Sequence, residues 1–207
     1  MKNYLTEQED FWAGDFGDKY ISRNKSENLL ASNLNFFSRA LSNLNRIDNC
    51  LEFGANIGMN ISALKLLYPQ IDPFAIEINF EATKLLAEIV PKKNIFNQSI
   101  LEFEPKRQWE LVLIKGVLIH LNEGHLENVY EKLVESTSKY LLICEYYNPT
   151  PVNISYRGNE NKLFKRDFAG ELLDSHKNMH LINYGFVYHR DISFPQDDIT
   201  WFLLEKR

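Results

Sequence analysis

The chain has 207 residues, 44% of them hydrophobic, which is enough for one sizeable core and fits a single α/β domain. A formal net charge of −5 leaves no basic stripe of the kind duplex or RNA binders use, so nucleic acid is excluded as the expected partner. No apolar run approaches the ~20 residues of a membrane span, and Cys50 and Cys144 both sit inside apolar runs, so a soluble, cytoplasmic protein without a disulfide framework is expected.

Residues 1–45 are expected to form a helical leader and residues 46–207 the main domain, together one globular unit. Within the leader, Trp12, Phe16 and Tyr20 recur at helical spacing, and Arg23 follows. This aromatic, acidic segment is expected to fold over a ligand as a lid, with Trp12 toward a substrate and Tyr20 or Arg23 toward a cofactor carboxylate. Residues 28–44 then offer Leu29, Leu30, Leu34, Phe37, Leu41 and Leu44 for a longer amphipathic helix.

From Cys50 onward, short apolar runs alternate with segments of helical period, which predicts βαβ units around a mostly parallel sheet. Strands are predicted at 50–53, 73–76, 94–97, 111–114, 140–144, 181–187 and 200–205. Helices are predicted at 59–68, 80–90, 126–134 and 168–173, covering both faces of a seven-stranded sheet. Residues 187–200 carry no helical pattern and include Pro195, so the last two strands should form an antiparallel hairpin at or near a sheet edge. Its acids Asp191, Asp197 and Asp198 read as a solvated, turn-forming loop.

The stretch Cys50-Leu51-Glu52-Phe53-Gly54-Ala55-Asn56-Ile57-Gly58-Met59-Asn60 describes a buried strand that bends sharply into a helix beside a nucleotide cofactor. A dinucleotide fingerprint wants glycine at three positions, but counting from Gly54 the second is Asn56 and the third is Met59. Side chains therefore stand where a pyrophosphate needs room, which disfavours a nicotinamide-dependent oxidoreductase. S-adenosylmethionine fits better. It needs a sharp turn, supplied by Gly54 and Gly58 around Asn56, and an acid at the end of the next strand, supplied by Glu77, to accept bonds from a ribose diol. Glu52 either accepts backbone N–H groups inside the turn or holds the cofactor's cationic amino group. In the segment Asn97-Gln98-Ser99-Ile100-Leu101, Ser99 and Ile100 are candidates for an adenine clamp.

Ligands in open α/β sheets bind at the carboxyl ends of the strands, which singles out several further groups. His120 lies just beyond the fourth strand and is a candidate base, or a helix-start histidine bonded to backbone. Glu145, Tyr146 and Tyr147 end the fifth strand, with Glu145 and Tyr147 expected on one side and Tyr146 on the other. Tyr156, Arg157, Lys165 and Arg166 form the densest polar cluster and flank a Gly/Asn-rich loop, residues 158–161. They read as an anion-binding substrate site, or as a solvated turn whose charges pair with Glu160, Asp167 and Glu171.

With these residues in place, the chain resembles the class I S-adenosylmethionine-dependent methyltransferases. More narrowly, it is similar to the pseudaminic acid biosynthesis-associated methylases. That resemblance is carried by Phe11-Trp12-Ala13-Gly14-Asp15-Phe16-Gly17-Asp18, Lys115-Gly116-Val117-Leu118-Ile119-His120-Leu121 and Glu145-Tyr146-Tyr147-Asn148-Pro149. It extends through Tyr156-Arg157-Gly158, residues 163–171 and residues 184–190, and so spans Phe11 to Leu204. It implies a Rossmann-like methyltransferase fold and a small acceptor methylated on oxygen or nitrogen, either a sialic-acid-like sugar or its nucleotide-activated precursor. Another small acid or amine metabolite is the alternative acceptor, and a non-catalytic binding protein on the same fold is a competing class. Lys115 stands where magnesium-dependent methyltransferases would place carboxylates, so no metal is expected and Lys115 joins the cofactor set.

Overall fold

The computed structural model of the protein describes residues 4–21 and 26–207. Thr6 caps the first helix, α1 (Glu7–Ala13), through a capping box in which the Glu9 N–H donates to Thr6 Oγ1 at 3.1 Å and Glu9 Oε2 accepts from the Thr6 N–H at 2.8 Å. Gly14 ends this helix and α2 (Asp15–Ile21) follows, so the aromatic stripe is broken into two helices. Its rings stay together nonetheless, with Trp12 5.4 Å from Phe16 and 5.2 Å from Tyr20 between centroids. Helix α3 (Glu27–Ala40) completes the leader.

The main domain runs β1 (Asn49–Phe53), α4 (Met59–Leu67), β2 (Asp72–Ile76), α5 (Phe80–Leu86), β3 (Ile95–Phe96), β4 (Trp109–Lys115), α6 (Leu126–Ser136) and β5 (Thr137–Glu145). A hairpin, β6 (Val152–Tyr156) and β7 (Asn159–Lys165), then precedes α7 (Phe168–Ser175), β8 (Met179–Val187) and β9 (Ile199–Lys206). The seven-stranded sheet has the order β3-β2-β1-β4-β5-β9-β8, parallel except for β9, which runs antiparallel to both neighbours. Strand order reverses between β1 and β4, which opens a crevice at their carboxyl ends.

Helices cover both faces, so the central strands are apolar throughout rather than alternating. Leu111, Val112, Leu113 and Ile114 of β4 are all fully buried. Alternation sends Leu51, Val112, Ile114, Leu141 and Ile143 toward Val129 and Leu133 of α6 and Phe168 and Leu172 of α7. Their neighbours Cys50, Leu111, Leu113, Leu142 and Cys144 meet Phe36 and Phe37 of α3 and Leu64 of α4 on the opposite face. Both cysteines are free and buried, packing as small apolar groups.

Among the differences between the predicted and the observed elements, the leader helix expected over 28–44 ends at Ala40. The helix after β2 stops at Leu86 rather than at residue 90, and β3 is only two residues long. The polar block expected as a loop is the β6–β7 hairpin, turning through the left-handed Arg157 (φ 51°) and Gly158 (φ 80°). Its signal was the alternation Val152, Ile154, Tyr156, obscured because β6 lies largely exposed outside the core. Among the described residues, no helix is long and apolar enough to cross a membrane.

Candidate active site

A cavity of about 540 Å3 opens at the carboxyl edge of the sheet. One wall is the turn after β1, where Gly54, Asn56 and Gly58 all take left-handed φ values of 74°, 49° and 82°. Gly58 is required twice over, by its φ and because an added Cβ would stand 2.7 Å from Leu86 Cδ1 where α4 packs on α5. At Gly54 a Cβ would meet Val117 Cγ2 at 2.6 Å. Asn56 tolerates this conformation better than most residues. Its N–H donates to Glu77 Oε2 at 2.6 Å, while its own Oδ1 is buried without a partner.

Glu77 ends β2 and also accepts the Asn79 N–H on Oε1 at 2.7 Å. Burial pushes its carboxyl up to about 6, against the lowering effect of the backbone N–H bonds. Asn79 caps α5 by accepting the Ala82 N–H at 2.9 Å, and its Nδ2 donates to Asp18 Oδ1 at 2.8 Å and to the Trp12 carbonyl at 3.3 Å. The leader is thereby tied to the same corner as Glu77. Its Glu9, Trp12 and Tyr20 all line the cavity.

Glu52 is buried and does not line the cavity itself. Its Oε1 accepts from Asn60 Nδ2 at 2.6 Å, its Oε2 has no partner, and burial pushes the carboxyl up to about 8. Asn60 and Lys115 stand on the cavity surface in its place, as do Ser99 and Ile100. Ser99 Oγ is engaged by the Leu101 N–H at 3.0 Å.

On the far side, the His120 ring packs against both Trp12 and Tyr156, with centroids 4.6 and 5.1 Å away, and those two rings lie 6.5 Å from each other. Its Nδ1 is 2.5 Å from the Lys162 carbonyl, which can only accept, so Nδ1 carries the proton and Nε2 is bare. Burial lowers its pKa to about 4, which keeps the ring neutral. Glu145 is buried beneath the cavity, where Oε1 accepts the Val117 and Leu118 N–H groups at 3.0 and 2.9 Å and Oε2 has no partner. Burial raises its carboxyl to about 7. It braces the turn that carries His120.

Tyr146 and Tyr156 line the cavity, whereas Tyr147 is half exposed beside Phe202 and does not. Burial raises the Tyr146 phenol, with Asp197 as the next cause, so it remains a donor. The basic residues stand outside. The Arg157 guanidinium lies 5.7 Å over the Tyr156 ring, and Lys165 Nζ lies 5.1 Å over the Tyr146 ring. Arg166 is paired with Glu171 at 2.7 Å and Glu123 at 3.8 Å. Arg23 falls outside the described residues.

Among the polar cavity residues that the sequence did not mark as site residues are Asn60, Asn79, His189, Gln196 and Asp197. The two asparagines follow acids by eight and two positions, a spacing that could have been read as a polar relay from Glu52 and Glu77. The others lie in the loop between β8 and β9, whose acids were expected to be merely solvated. Asp197 instead lines the cavity, and Asp198 holds His189 at 2.8 Å.

No family model and no curated protein sequence matches the chain. Solved structures match it by fold. A Burkholderia thailandensis 1,6-didemethyltoxoflavin-N1-methyltransferase, with bound 1,6-didemethyltoxoflavin and S-adenosylhomocysteine, aligns with TM-score 0.73 at 13% identity, covering 100% of this chain and 93% of that one. A Leishmania major S-adenosylmethionine-dependent methyltransferase gives 0.70 at 11% identity, covering 97% and 87%. The plantazolicin methyltransferase in complex with S-adenosylhomocysteine gives 0.65 at 15% identity, covering 97% and 94%. The architecture is therefore that of the Rossmann-like class I methyltransferases over the whole length of the chain.

Proposed function

We propose that the protein is an S-adenosylmethionine-dependent methyltransferase acting on an oxygen or nitrogen of a small acceptor. The observation that carries this reading is the left-handed turn 54–58 set against Glu77 at the strand-order switch, on the rim of a cavity of about 540 Å3. That volume lies within the ~300–1,000 Å3 usual for small-molecule sites. The fold neighbours that carry S-adenosylhomocysteine support the same cofactor.

The residues present fit that group. Each Glu77 oxygen accepts one backbone N–H and keeps a lone pair for a ribose hydroxyl. Ile78, Ile100 and Leu101 offer apolar flanks for adenine, and Ser99 lies among them. Lys115 supplies a cation for a carboxylate, and Asn60, backed by Glu52, supplies oxygen for an ammonium. When bound, the cofactor supplies a methyl group activated on a sulfonium. The protein's own work is to align the acceptor, exclude water and hold charge, which is where such displacements gain most of their rate.

Water exclusion falls to the leader, which acts as a lid in this reading. Gln8 Nε2 donates to the Asn161 carbonyl at 3.1 Å and Glu7 pairs with Lys162 at 3.0 Å, so α1 latches onto the β6–β7 hairpin across the cavity mouth. Behind the latch, Trp12, Tyr156 and His120 meet as an aromatic corner of the cavity. The acceptor we favour is a sialic-acid-like sugar or its nucleotide-activated form. The resemblance noted in the sequence supports it. So does the position of Arg157 and Lys165, each over the ring of a cavity tyrosine, where an acceptor carboxylate at the mouth would meet them.

Calorimetry with S-adenosylhomocysteine and with NAD tests the cofactor. Binding of the first and not of the second is expected, and the reverse defeats the reading. For the acceptor, Arg157→Ala and Lys165→Ala should each raise its KM while leaving S-adenosylhomocysteine affinity unchanged. An unchanged KM in both removes the anionic acceptor.

A further inference from the structure

The β8–β9 connection carries a pair of side chains that the reading above does not use. His189 lines the cavity. Its backbone N–H donates to Asp198 Oδ1 at 3.0 Å, and its ring Nδ1 lies 2.8 and 2.9 Å from the two carboxylate oxygens. An ionised carboxylate only accepts, so Nδ1 carries the proton and Nε2 of the neutral ring is bare. The N–H of His189, and then its ring, hold the Asp198 carboxyl below the ordinary carboxylate range, so Asp198 keeps its charge. The two side chains are 51% and 46% exposed, so a proton arriving on the ring can leave to water.

Topology places this pair at the acceptor end of the cavity. The cofactor turn hangs from β1 and Glu77 from β2, whereas the His189 loop joins β8 and β9, four and three strand spacings or roughly 19 and 14 Å from β1. Between them lie the ends of β4 and β5, with His120 and Tyr146. Asp197, Gln196 and Tyr146 line the cavity beside His189, the Tyr188 ring lies 4.8 Å from it, and Lys165 acts on Asp198 from β7. His120 is a poor rival as base, because its buried ring gives up a proton already near pH 4.

We propose that His189, positioned by Asp198, is the proton acceptor of the reaction and that the atom methylated is a hydroxyl oxygen. This inference rests on the methyltransferase reading. A lone pair of the hydroxyl oxygen attacks the sulfonium methyl carbon, and the carbon–sulfur bond breaks with its electron pair going to sulfur. The O–H proton passes to His189 Nε2. The products are a methyl ether, a neutral thioether and an imidazolium balanced by Asp198, which then returns its proton to water. A neutral amine acceptor would need no such group.

Two measurements on the full chain decide the matter. In histidine-labelled protein, with His189→Gln for assignment, NMR should show His189 as the Nδ1–H tautomer. Asp198→Asn should shift the ring toward the Nε2–H form. Methyl transfer from radiolabelled S-adenosylmethionine into a small-molecule extract of the source cells should then fall about 100-fold or more in His189→Gln. The acid limb of the rate profile should follow the NMR midpoint in wild type and Asp198→Asn alike, while S-adenosylhomocysteine affinity stays constant in both variants. An Nε2–H tautomer in the wild type overturns the proposal whatever the transfer assay gives. So does full-rate transfer in His189→Gln. A wild type that binds S-adenosylhomocysteine yet labels nothing overturns the methyltransferase reading, and this inference with it, even where the tautomer is as expected.

Discussion

Replacing Glu52 with glutamine should make the empty protein more stable and its cofactor binding weaker. The buried carboxyl is pushed up to about 8 from an ordinary 4.5, chiefly by desolvation, with Asn60 and Lys115 opposing. The sign follows from proton uptake. Between pH 4.5 and 8 the unfolded chain has lost a proton that the folded chain keeps, so stability falls as pH rises through this window and stays low above it. At about 1.4 kcal/mol per pH unit, the interval from 4.5 to 7 corresponds to a penalty of about 3.5 kcal/mol at neutral pH. Glutamine keeps an oxygen to accept from Asn60, leaves the same buried position unpartnered and has no proton to take up.

Urea unfolding at pH 7, without ligand, should therefore show Glu52→Gln more stable by roughly 3 kcal/mol, or by about 6–12 °C in Tm for a chain of this size. The interval from pH 7 to 8 isolates the effect. Glu77, raised to about 6, has by then largely titrated, Glu145, raised to about 7, is half titrated at its start and contributes equally to wild type and variant, and His120, lowered to about 4, titrates below it. Across that unit wild type should lose about 1 kcal/mol more than the variant. At pH 9, where the wild-type carboxyl is ionised, S-adenosylhomocysteine affinity should fall about 10-fold or more, as a charge-assisted contact behind Asn60 is lost. Equal stability at pH 7 together with equal slopes from 7 to 8 would refute the reasoning.

Gly58→Ala combines a left-handed residue, costing about 1–2 kcal/mol, with a Cβ pressed on the fully buried Leu86. A loss of about 2–4 kcal/mol in urea unfolding is expected, and a loss under 1 would show that α4 and α5 can separate freely. Trp12→Ala opens one face of His120 to water, so the NMR titration midpoint of that ring should rise from about 4 by a pH unit or more. Breaking the latch with Glu7→Gln plus Gln8→Ala should weaken S-adenosylhomocysteine binding several-fold without shifting Tm by more than a few degrees, and unchanged affinity removes the lid from the account. Arg166→Ala should lower stability by about 1–3 kcal/mol through its pair with Glu171, and an acceptor KM that rises while stability holds would place Arg166 at the ligand instead.

The parts of the molecule that could be read from sequence are those whose cause is local. Strands β1, β2, β4 and β5 are apolar runs because both faces are covered, and nothing else in a chain of this composition produces such runs. The turn 54–58 was legible for a similar reason, since glycine at 54 and 58 answers a backbone requirement seen in the φ values themselves. Hairpin β6–β7 was missed because β6 is exposed and β7, apart from the buried Leu163, opens on the polar run Asn159 to Lys162. Glu52 and Glu145 were marked by position, but their burial behind Asn60 and the Val117 amide depends on contacts across eight and 28 residues.

The two ends of the cavity differ in the same way, and the difference bears on how the acceptor must be sought. In the proposed reading the cofactor end draws on the segments 54–60, 77–79 and 99–101, which follow β1, β2 and β3, and on Lys115 at the end of β4. The proposed acceptor end is assembled from Trp12, His120, Tyr146, Tyr156, His189 and Asp197, drawn from five separate segments and bordered by the contact of α1 with the β6–β7 hairpin. No spacing in the sequence can encode that meeting. Because the latch itself uses Glu7, Gln8, Asn161 and Lys162, the shape offered to an acceptor depends on the lid being shut. Acceptors should therefore be screened with S-adenosylhomocysteine present and residues 1–24 intact, since a truncated or cofactor-free chain offers a different surface.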